Sequence, residues 1–265
     1  MTISSNIACH FNKRIGLKVI TGLDNFNIQQ VRQMTKAAEI AGATYVDIAA
    51  DTDIISELQS ICTLPICVSD ITPSQLLKCQ RVGIQVLEIG NYDCFYKNRR
   101  LFSPKEIIDI SKEIRDLSPT TTLCVTVPHI LAIEEQIKLA HSLQNIGVDI
   151  IQTEGKSTNF AKQGDLSGIM RRSSSTVSST YAISKAINLP VISASGISTV
   201  TSPISFMYGA SCVGIGTNIK RLQNIDSMVM YIHEVKAAIC INQSGEKNIN
   251  HSIRSSKINK QLIAY

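Results

Sequence analysis

Two short glycine-bearing segments have the composition of an anion-binding loop. Ser195, Gly196 and Ile197 follow one apolar run, and Gly214, Gly216 and Thr217 end another. Backbone N–H groups bind phosphate when no side chain holds the anion away, which favours glycine, and the two hydroxyls add donors. Tight turns alone would also explain the glycines. We predict a phosphate- or cofactor-binding corner formed by Ser195, Gly196, Ile197, Gly214, Gly216 and Thr217.

Charged residues inside apolar runs form a second candidate site. Glu88, Lys18 and Asp47 each have apolar neighbours on both sides. Gln152 and Glu154 are two residues apart in another run, so in a strand their side chains point to the same side. An unpaired charge that pointed into an apolar helix layer would be costly, so we expect these side chains to face inward. A lysine beside two carboxylates is either a structural ion cluster or a tuned base or Schiff-base amine, and both interpretations stay open.

Further polar residues follow the apolar runs, where catalytic groups of parallel barrels lie. They are Asp51, Ser69, Asp70, Asn91, Asp93 and His129. Asp70 and His129 are candidate acid/base partners, although capping of the next helix explains Asp70 equally well. The catalytic set predicted from the strands and their ends is Glu88, Glu154, Lys18 and His129.

The longest connection between apolar runs extends from Gly155 to about Ser175. It carries Lys156, Arg171 and Arg172, which can meet an anionic group. A long loop at the active face of a barrel often closes over the ligand, but a mobile surface loop is an equal alternative.

Eight short apolar runs alternate with amphipathic segments and must position these residues. We predict strands at Leu17–Thr21, Tyr45–Ala49, Pro65–Ser69, Val86–Ile89, Leu123–Val127, Asp149–Thr153, Pro190–Ser195 and Cys212–Ile215, and helices at Ile28–Ala41, Pro104–Leu117, Leu131–Ile146 and Asn224–Ile239. Strands that are each followed by a helix are parallel, and eight such units predict a single α/β domain, a (β/α)8 TIM barrel of the phosphate-binding type. An open doubly wound sheet is the alternative, but its usual GxGxxG is missing after the first strand.

Composition and charge exclude several classes of protein. The 265 residues are 44% hydrophobic and 18% charged, which suits a full core and excludes disorder of the whole chain. No apolar run is long enough to span a membrane. The net charge of +5 is weighted toward residues 243–265, with four basic residues and one acidic residue. The remainder lacks the basic concentration of a nucleic-acid binder. We expect a barrel over residues 1–242 and a basic, disordered tail over residues 243–265.

The cysteines indicate neither a metal site nor a disulfide framework. Eight cysteines are present, without a CxxC pair or a Cys/His spacing typical of zinc. We therefore predict no metal ligands. Residues 1–14 lack the apolar stretch of a secretory signal, so the thiols are expected to stay reduced.

Six strings resemble one known family. They are LKVITGLDNF, CVSDITP, VLEIGNYDCFY, CVTVPHIL, DIIQTEG and ISASGIS, within about residues 10–240. The chain is similar to the plastid and cyanobacterial family called hypothetical chloroplast open reading frame twenty-three. The resemblance implies an aldolase-type TIM barrel in the chloroplast stroma and no particular activity. The segments after strands seven and eight also resemble those of phosphate-binding barrels such as flavin mononucleotide (FMN) oxidoreductases, thiazole synthase and ribulose-phosphate enzymes, which is an analogy of fold alone.

Two functions are consistent with these patterns. The first is an enzyme that binds a phosphorylated small molecule or FMN and performs lyase- or isomerase-like acid/base chemistry or flavin redox chemistry. The second is a non-catalytic ligand-sensing or regulatory barrel of the plastid, which would keep the phosphate corner but need no inward base. The sequence leaves the substrate, the reaction and the oligomeric state open.

Overall fold

Eight parallel strands close into one barrel in the computed structural model, which describes residues 3–96, 98–155 and 166–241. The strands follow chain order around the barrel, and β1 pairs with β8 to close it. They are β1 Gly16–Ile20, β2 Tyr45–Ala49, β3 Ile66–Asp70, β4 Val86–Ile89, β5 Thr122–Val127, β6 Ile150–Thr153, β7 Val191–Ala194 and β8 Cys212–Ile215. The predicted TIM barrel is confirmed, and no predicted strand end is displaced by more than one residue.

Helices surround the barrel, and two of them have a clear local signal at one end. They are α1 Ser5–Asn12, α2 Ile28–Ile40, α3 Thr52–Ile61, α4 Pro73–Arg81, α5 Asp93–Tyr96, α6 Pro104–Leu117, α7 Ile133–Ile146, α8 Leu166–Ala186, α9 Thr201–Met207, α10 Thr217–Lys220 and α11 225–241. Ser103 accepts a hydrogen bond from the Glu106 N–H at the start of α6 and so caps this helix. Gly147 ends α7 in the left-handed conformation with φ 91°.

The apolar core lies in two places. Outward strand residues such as Val46, Leu87 and Val213 pack against the helices. Inward residues at the amino ends of the strands form a separate apolar layer inside the barrel. The inward layer fills the bottom of the barrel, so the carboxyl ends of the strands form the mouth.

Helix α1, which the sequence did not predict, closes the bottom of the barrel. Ile7 and Phe11 are buried against Tyr45, Cys67 and Cys212 of the inward layer. The rings of Phe11 and Tyr45 lie 6.3 Å apart. This helix therefore excludes water from the end of the barrel opposite the mouth.

The predicted loop from Gly155 to about Ser175 is wrong in its second half. Helix α8 begins at Leu166, so residues 166–175 are helical. Serine and threonine have modest helix propensity, but here Ser173 donates to the Met170 carbonyl and Thr180 to the Thr176 carbonyl from buried positions. Small hydroxyl side chains let the helix pack closely on the barrel, and this packing outweighs propensity. Residues 156–165 lie outside the described residues.

Two other predictions were a disordered C-terminal tail and the absence of a membrane-spanning segment. The tail over residues 243–265 lies outside the described residues. Among the helices of the described ranges, none is both long and apolar enough to cross a membrane.

Candidate active site

A buried polar group, the central cluster, lies inside the barrel where the sequence predicts inward charges. Lys18 on β1 forms an ion pair with Glu88 on β4, and its Nζ lies 3.6 Å from Asp47 Oδ2 on β2. The same Nζ donates a 2.9 Å hydrogen bond to Gln152 Oε1 on β6. These four side chains come from four strands, and all are buried.

Hydroxyl and amide groups complete the hydrogen bonds of the two carboxylates. Glu88 Oε1 accepts from Thr126 Oγ1 at 3.2 Å and from Gln152 Nε2 at 2.6 Å. Asp47 Oδ1 accepts from the hydroxyl of Ser69. Among the described residues, each side-chain oxygen and nitrogen of this cluster has a partner, which is what makes buried charge tolerable.

Asn91 covers the central cluster on the side of the mouth. Its Nδ2 lies within 3.1 to 3.4 Å of Glu88, Asp47 and Ser69 oxygens, and its Oδ1 accepts from Gln152. Asn91 has φ 64°, a left-handed conformation that asparagine tolerates better than most residues. Together with Gly90 before it, also at positive φ, this turns the amide back over the cluster.

The charges of the central cluster depend on one another. Burial by itself lowers the pKa of Lys18, but Asp47 and Glu88 outweigh it and raise that pKa well above its ordinary value. Burial raises the pKa of Asp47 to about 6, although Lys18 opposes the shift. Lys18 is therefore held as a cation, and a protonated, inaccessible amine suits a structural ion cluster better than a Schiff base.

A second polar group, the mouth cluster, consists of Tyr96, His129 and Glu154 at the carboxyl ends of the strands. Glu154 directly follows β6, and its Oε2 accepts a hydrogen bond from Tyr96 Oη at 2.7 Å. The Nδ1 of His129 lies 3.0 Å from that same oxygen, and the His129 backbone N–H donates to it at 3.3 Å. The rings of Tyr96 and His129 meet edge to face, 5.1 Å apart.

Two further observations describe the surroundings of the mouth cluster. Glu154 Oε1 is buried and has no hydrogen-bond partner among the described residues. Asp93, on α5, offers a carboxylate oxygen within 4.8 Å of ligand atoms of His129 and Glu154. Burial, followed by the charge of Glu154, raises the pKa of Tyr96, so its phenol stays protonated.

The structure thus divides the predicted catalytic set between two places. Lys18 and Glu88 belong to the central cluster, whereas His129 and Glu154 belong to the mouth cluster. Asp70 does not pair with His129: its Oδ1 accepts from the N–H groups of Ile71 and Thr72. Tyr96 was missed by the sequence analysis, although its position three residues after Asp93 on one short helix was a usable signal.

The predicted phosphate corner lies at the mouth as well. Ser195 follows β7 with φ 80°, an uncommon conformation for a residue with a side chain. Its Oγ donates to the Gly155 carbonyl at 3.1 Å, and its own carbonyl accepts from Thr176. Ile197 is buried, and Thr217 is exposed at the start of α10.

The glycines of this corner also have packing reasons of their own. A Cβ on Gly196 would collide with the Arg172 carbonyl of α8. A Cβ on Gly216 would lie 2.5 Å from the Ile20 carbonyl, and one on Gly214 would lie 2.8 Å from Ile20 Cδ1. Of the predicted loop cations, Arg171 and Arg172 lie in the first turns of α8, and Lys156 lies outside the described residues.

Comparison with known proteins identifies the family. Residues 3–245 match the model of a family described as "Protein of unknown function (DUF561)". The chain belongs to this family. The "Uncharacterized protein ycf23" of Pyropia yezoensis is 67% identical over 265 residues, which are 100% of this chain and 97% of the relative. The protein of the same name from Porphyra purpurea is 62% identical over all of both chains.

Family membership confirms the resemblance seen in the six strings. The relatives come from the plastid genomes of red algae and a glaucophyte, and the protein is a plastid protein. One similar solved structure is (S)-3-O-geranylgeranylglyceryl phosphate synthase from Thermoplasma acidophilum in complex with substrate sn-glycerol-1-phosphate. Its TM-score is 0.57, with 13% identity over 89% of this chain and 99% of that chain. Thiamine phosphate pyrophosphorylase from Pyrococcus furiosus is similar with a TM-score of 0.56 and 13% identity over 86% of this chain and 97% of that chain. These likenesses show the fold alone.

Proposed function

We propose that this protein is an enzyme that binds a phosphorylated small molecule after β7 and β8 and performs acid/base chemistry on it with the mouth cluster. The observation that carries the proposal is the hydrogen-bonded group of Tyr96, His129 and Glu154. It lies at the same end of the barrel as Ser195 and Thr217. Catalytic groups of TIM barrels come from this end, and the seventh and eighth loops often hold a phosphate there.

Backbone conformation and charge at the corner support phosphate binding. A non-glycine residue with positive φ, such as Ser195, is a form of strain that concentrates at ligand sites. The Nζ of Lys220 lies over Gly22 at the mouth, 2.7 Å from the point that a Cβ there would occupy. The two similar barrels named above carry phosphate compounds in their names, and this agrees with the proposal without assigning a ligand.

The mouth cluster has the arrangement of a general base. Glu154 Oε2 is an acceptor for His129 Nδ1, so the ring donates through Nδ1, and in the neutral form of the ring the other nitrogen has the lone pair. The His129 side chain is 11% exposed, which lets the ring reach a ligand at the mouth while Glu154 holds it in place. Tyr96 remains a phenol that donates to Glu154. This set can remove a proton next to a carbonyl group, as in enolisation or aldol-type cleavage.

The binding step is tested with a charge placed at the corner. Thr217→Glu adds a carboxylate at an exposed position, and Thr217→Gln is the matched neutral control. We expect some of a panel of sugar phosphates, glycerol phosphate, thiamine phosphate and FMN to raise the melting temperature of the wild type and of Thr217→Gln. The dephosphorylated forms of these compounds should leave the melting temperature unchanged. The phosphorylated compounds should not raise the melting temperature of Thr217→Glu. Gly196 and Gly216 are unsuitable for substitution because a Cβ would collide with backbone there.

The outcomes separate the competing functions. A wild-type protein whose melting temperature ignores every phosphorylated compound overturns the proposal. A purified protein with visible absorbance assigns the corner to FMN. A bound compound that is turned over by the chelator-treated wild type and not by His129→Gln supports the acid/base role, because glutamine keeps hydrogen-bonding capacity but has no titratable nitrogen. Binding without turnover of any bound compound assigns a sensing role instead.

A further inference from the structure

We infer that Asp93, His129 and Glu154 form a binding site for one divalent transition cation such as Mn²⁺ or Zn²⁺. One ligand atom from each side chain lies within 4.8 Å of the other two. An imidazole with two carboxylates is a donor set that transition cations accept, whereas Mg²⁺ and Ca²⁺ prefer oxygen ligands throughout. The spacing of the three residues along the chain does not indicate a metal site, because each residue follows a different strand.

The two oxygens of Glu154 are used very unequally. Oε2 accepts from Tyr96 Oη, from His129 Nδ1 and from the His129 backbone N–H. Oε1 is buried without a hydrogen-bond partner in the described part of the chain, and Glu154 as a whole is 4% exposed. A buried carboxylate oxygen without a partner is costly, and native proteins usually satisfy such an atom with a donor, a water or an ion. A cation at the mouth cluster supplies the missing interaction.

The distances within the cluster suit coordination without a change of fold. His129 Nδ1 and Glu154 Oε2 are 3.0 Å apart and share the hydrogen bond described above. A cation bound to Nδ1 and to the unpartnered Oε1 would take the place of the Nδ1 proton, which is released. Two ligand atoms about 2.1 Å from one tetrahedral Zn²⁺ are separated by roughly 3.4 Å, so a small side-chain adjustment suffices. Asp93 is half-buried on α5 and supplies the third donor.

The central cluster provides an internal contrast. Asp47, Cys67 and Glu88 also bring three potential ligand atoms within 4.8 Å of one another. There, however, the Nζ of Lys18 already pairs with both carboxylates. A divalent cation would have to displace a buried ammonium, so the mouth cluster is the site that the charges favour.

A cation in this place would act as a Lewis acid on an oxygen of the ligand. Coordination through Nδ1 leaves the other nitrogen of His129 as an N–H donor, so the loaded site would polarise a carbonyl group, and the general-base role proposed above belongs to the metal-free protein. The inference concerns the mouth cluster and stands whether or not a phosphorylated molecule binds at Ser195 and Thr217.

The test is a titration of the full-length, chelator-treated protein with Mn²⁺, followed by the loss of the free-ion electron paramagnetic resonance signal. Mn²⁺ is chosen because it prefers nitrogen and oxygen ligands and is insensitive to the exposed thiols of Cys9 and Cys240. We expect one site per chain, and competition by Zn²⁺. Glu154→Gln and His129→Gln should each weaken binding at least about tenfold.

The matched control is His141→Gln, which removes an exposed histidine of α7. Its titration should equal that of the wild type. Should Glu154→Gln fail to fold by circular dichroism, Asp93→Asn at its half-buried position takes its place, with the same expected loss. Absence of a saturable site, or a site that none of these three substitutions weakens, overturns the inference.

Discussion

Replacing Lys18 with methionine tests whether the central cluster is a supporting element of the barrel. The substitution keeps most of the side-chain volume but removes the ammonium that pairs with Asp47 and Glu88, all of them fully buried. Breaking a buried ion pair from one side typically costs about 3–5 kcal/mol, because the other charge is left uncompensated. For a chain of this size that is a fall of roughly 6–20 °C in melting temperature.

The second substitution makes the prediction specific to charge. Glu88→Gln in the Lys18→Met background removes one orphaned carboxylate, and its amide can donate to Gln152 Oε1, which has lost its Lys18 donor. We expect the double variant to be more stable than the sum of the two single changes by about 1–3 kcal/mol. The free energy of unfolding of all four proteins is measured by urea denaturation.

A surface ion pair supplies the control for this experiment. Lys105 and Asp109 pair at 2.6 Å, with the side chains 85% and 53% exposed. Lys105→Met should leave the free energy of unfolding nearly unchanged. If Lys18→Met is as mild as this control, or if its effect adds independently to that of Glu88→Gln, the account of the central cluster is refuted.

Three further predictions concern pH, the barrel bottom and the tail. Because burial raises the pKa of Asp47 from 3.8 to about 6, the folded chain holds that proton more tightly than the unfolded chain. The stability of the wild type relative to Asp47→Asn should therefore fall by up to about 3 kcal/mol as pH rises from about 4 to 6, measured by denaturation at each pH. Phe11→Ala should cost about 3–5 kcal/mol in the same assay by opening a cavity beneath the inward layer. Truncation after Gln243 should leave the melting temperature nearly unchanged, since the tail is polar and lacks apolar periodicity.

The barrel and its inward charges were predictable because both follow from short-range rules. Strand periodicity places Lys18, Asp47 and Glu88 on one face, and an apolar helix layer leaves only the interior for them. The structure brings these three side chains together as that argument requires. The alternation of side chains along a strand also predicted that Gln152 faces inward, and in the structure it donates to Glu88.

The pairing at the mouth followed less readily from the sequence. His129 and Glu154 come from loops after different strands, and their contact depends on the stagger between β5 and β6, which no local pattern encodes. The start of α8 was missed because serine-rich sequence argues locally for a loop, while burial of Ser173 and Thr180 is decided by tertiary packing. Helix α1 was missed because Ile7 and Phe11 form too short an apolar pattern to stand out.

Strand β6 links the stability of the barrel to the chemistry of its mouth. Gln152 faces inward and donates to Glu88, whereas Thr153 faces outward and its Oγ1 lies 3.1 Å from Thr180 Oγ1 on α8. Glu154, one residue further, therefore returns to the inner side, where it meets His129. A slip of one residue would turn Gln152 and Glu154 toward the helices and bury both polar groups without partners. The hydrogen bonds of the central cluster thus fix the strand register that holds Glu154 at the mouth. A substitution that removes the hydrogen bonds of Gln152 should therefore disturb the mouth cluster, although the substituted residue belongs to the central cluster.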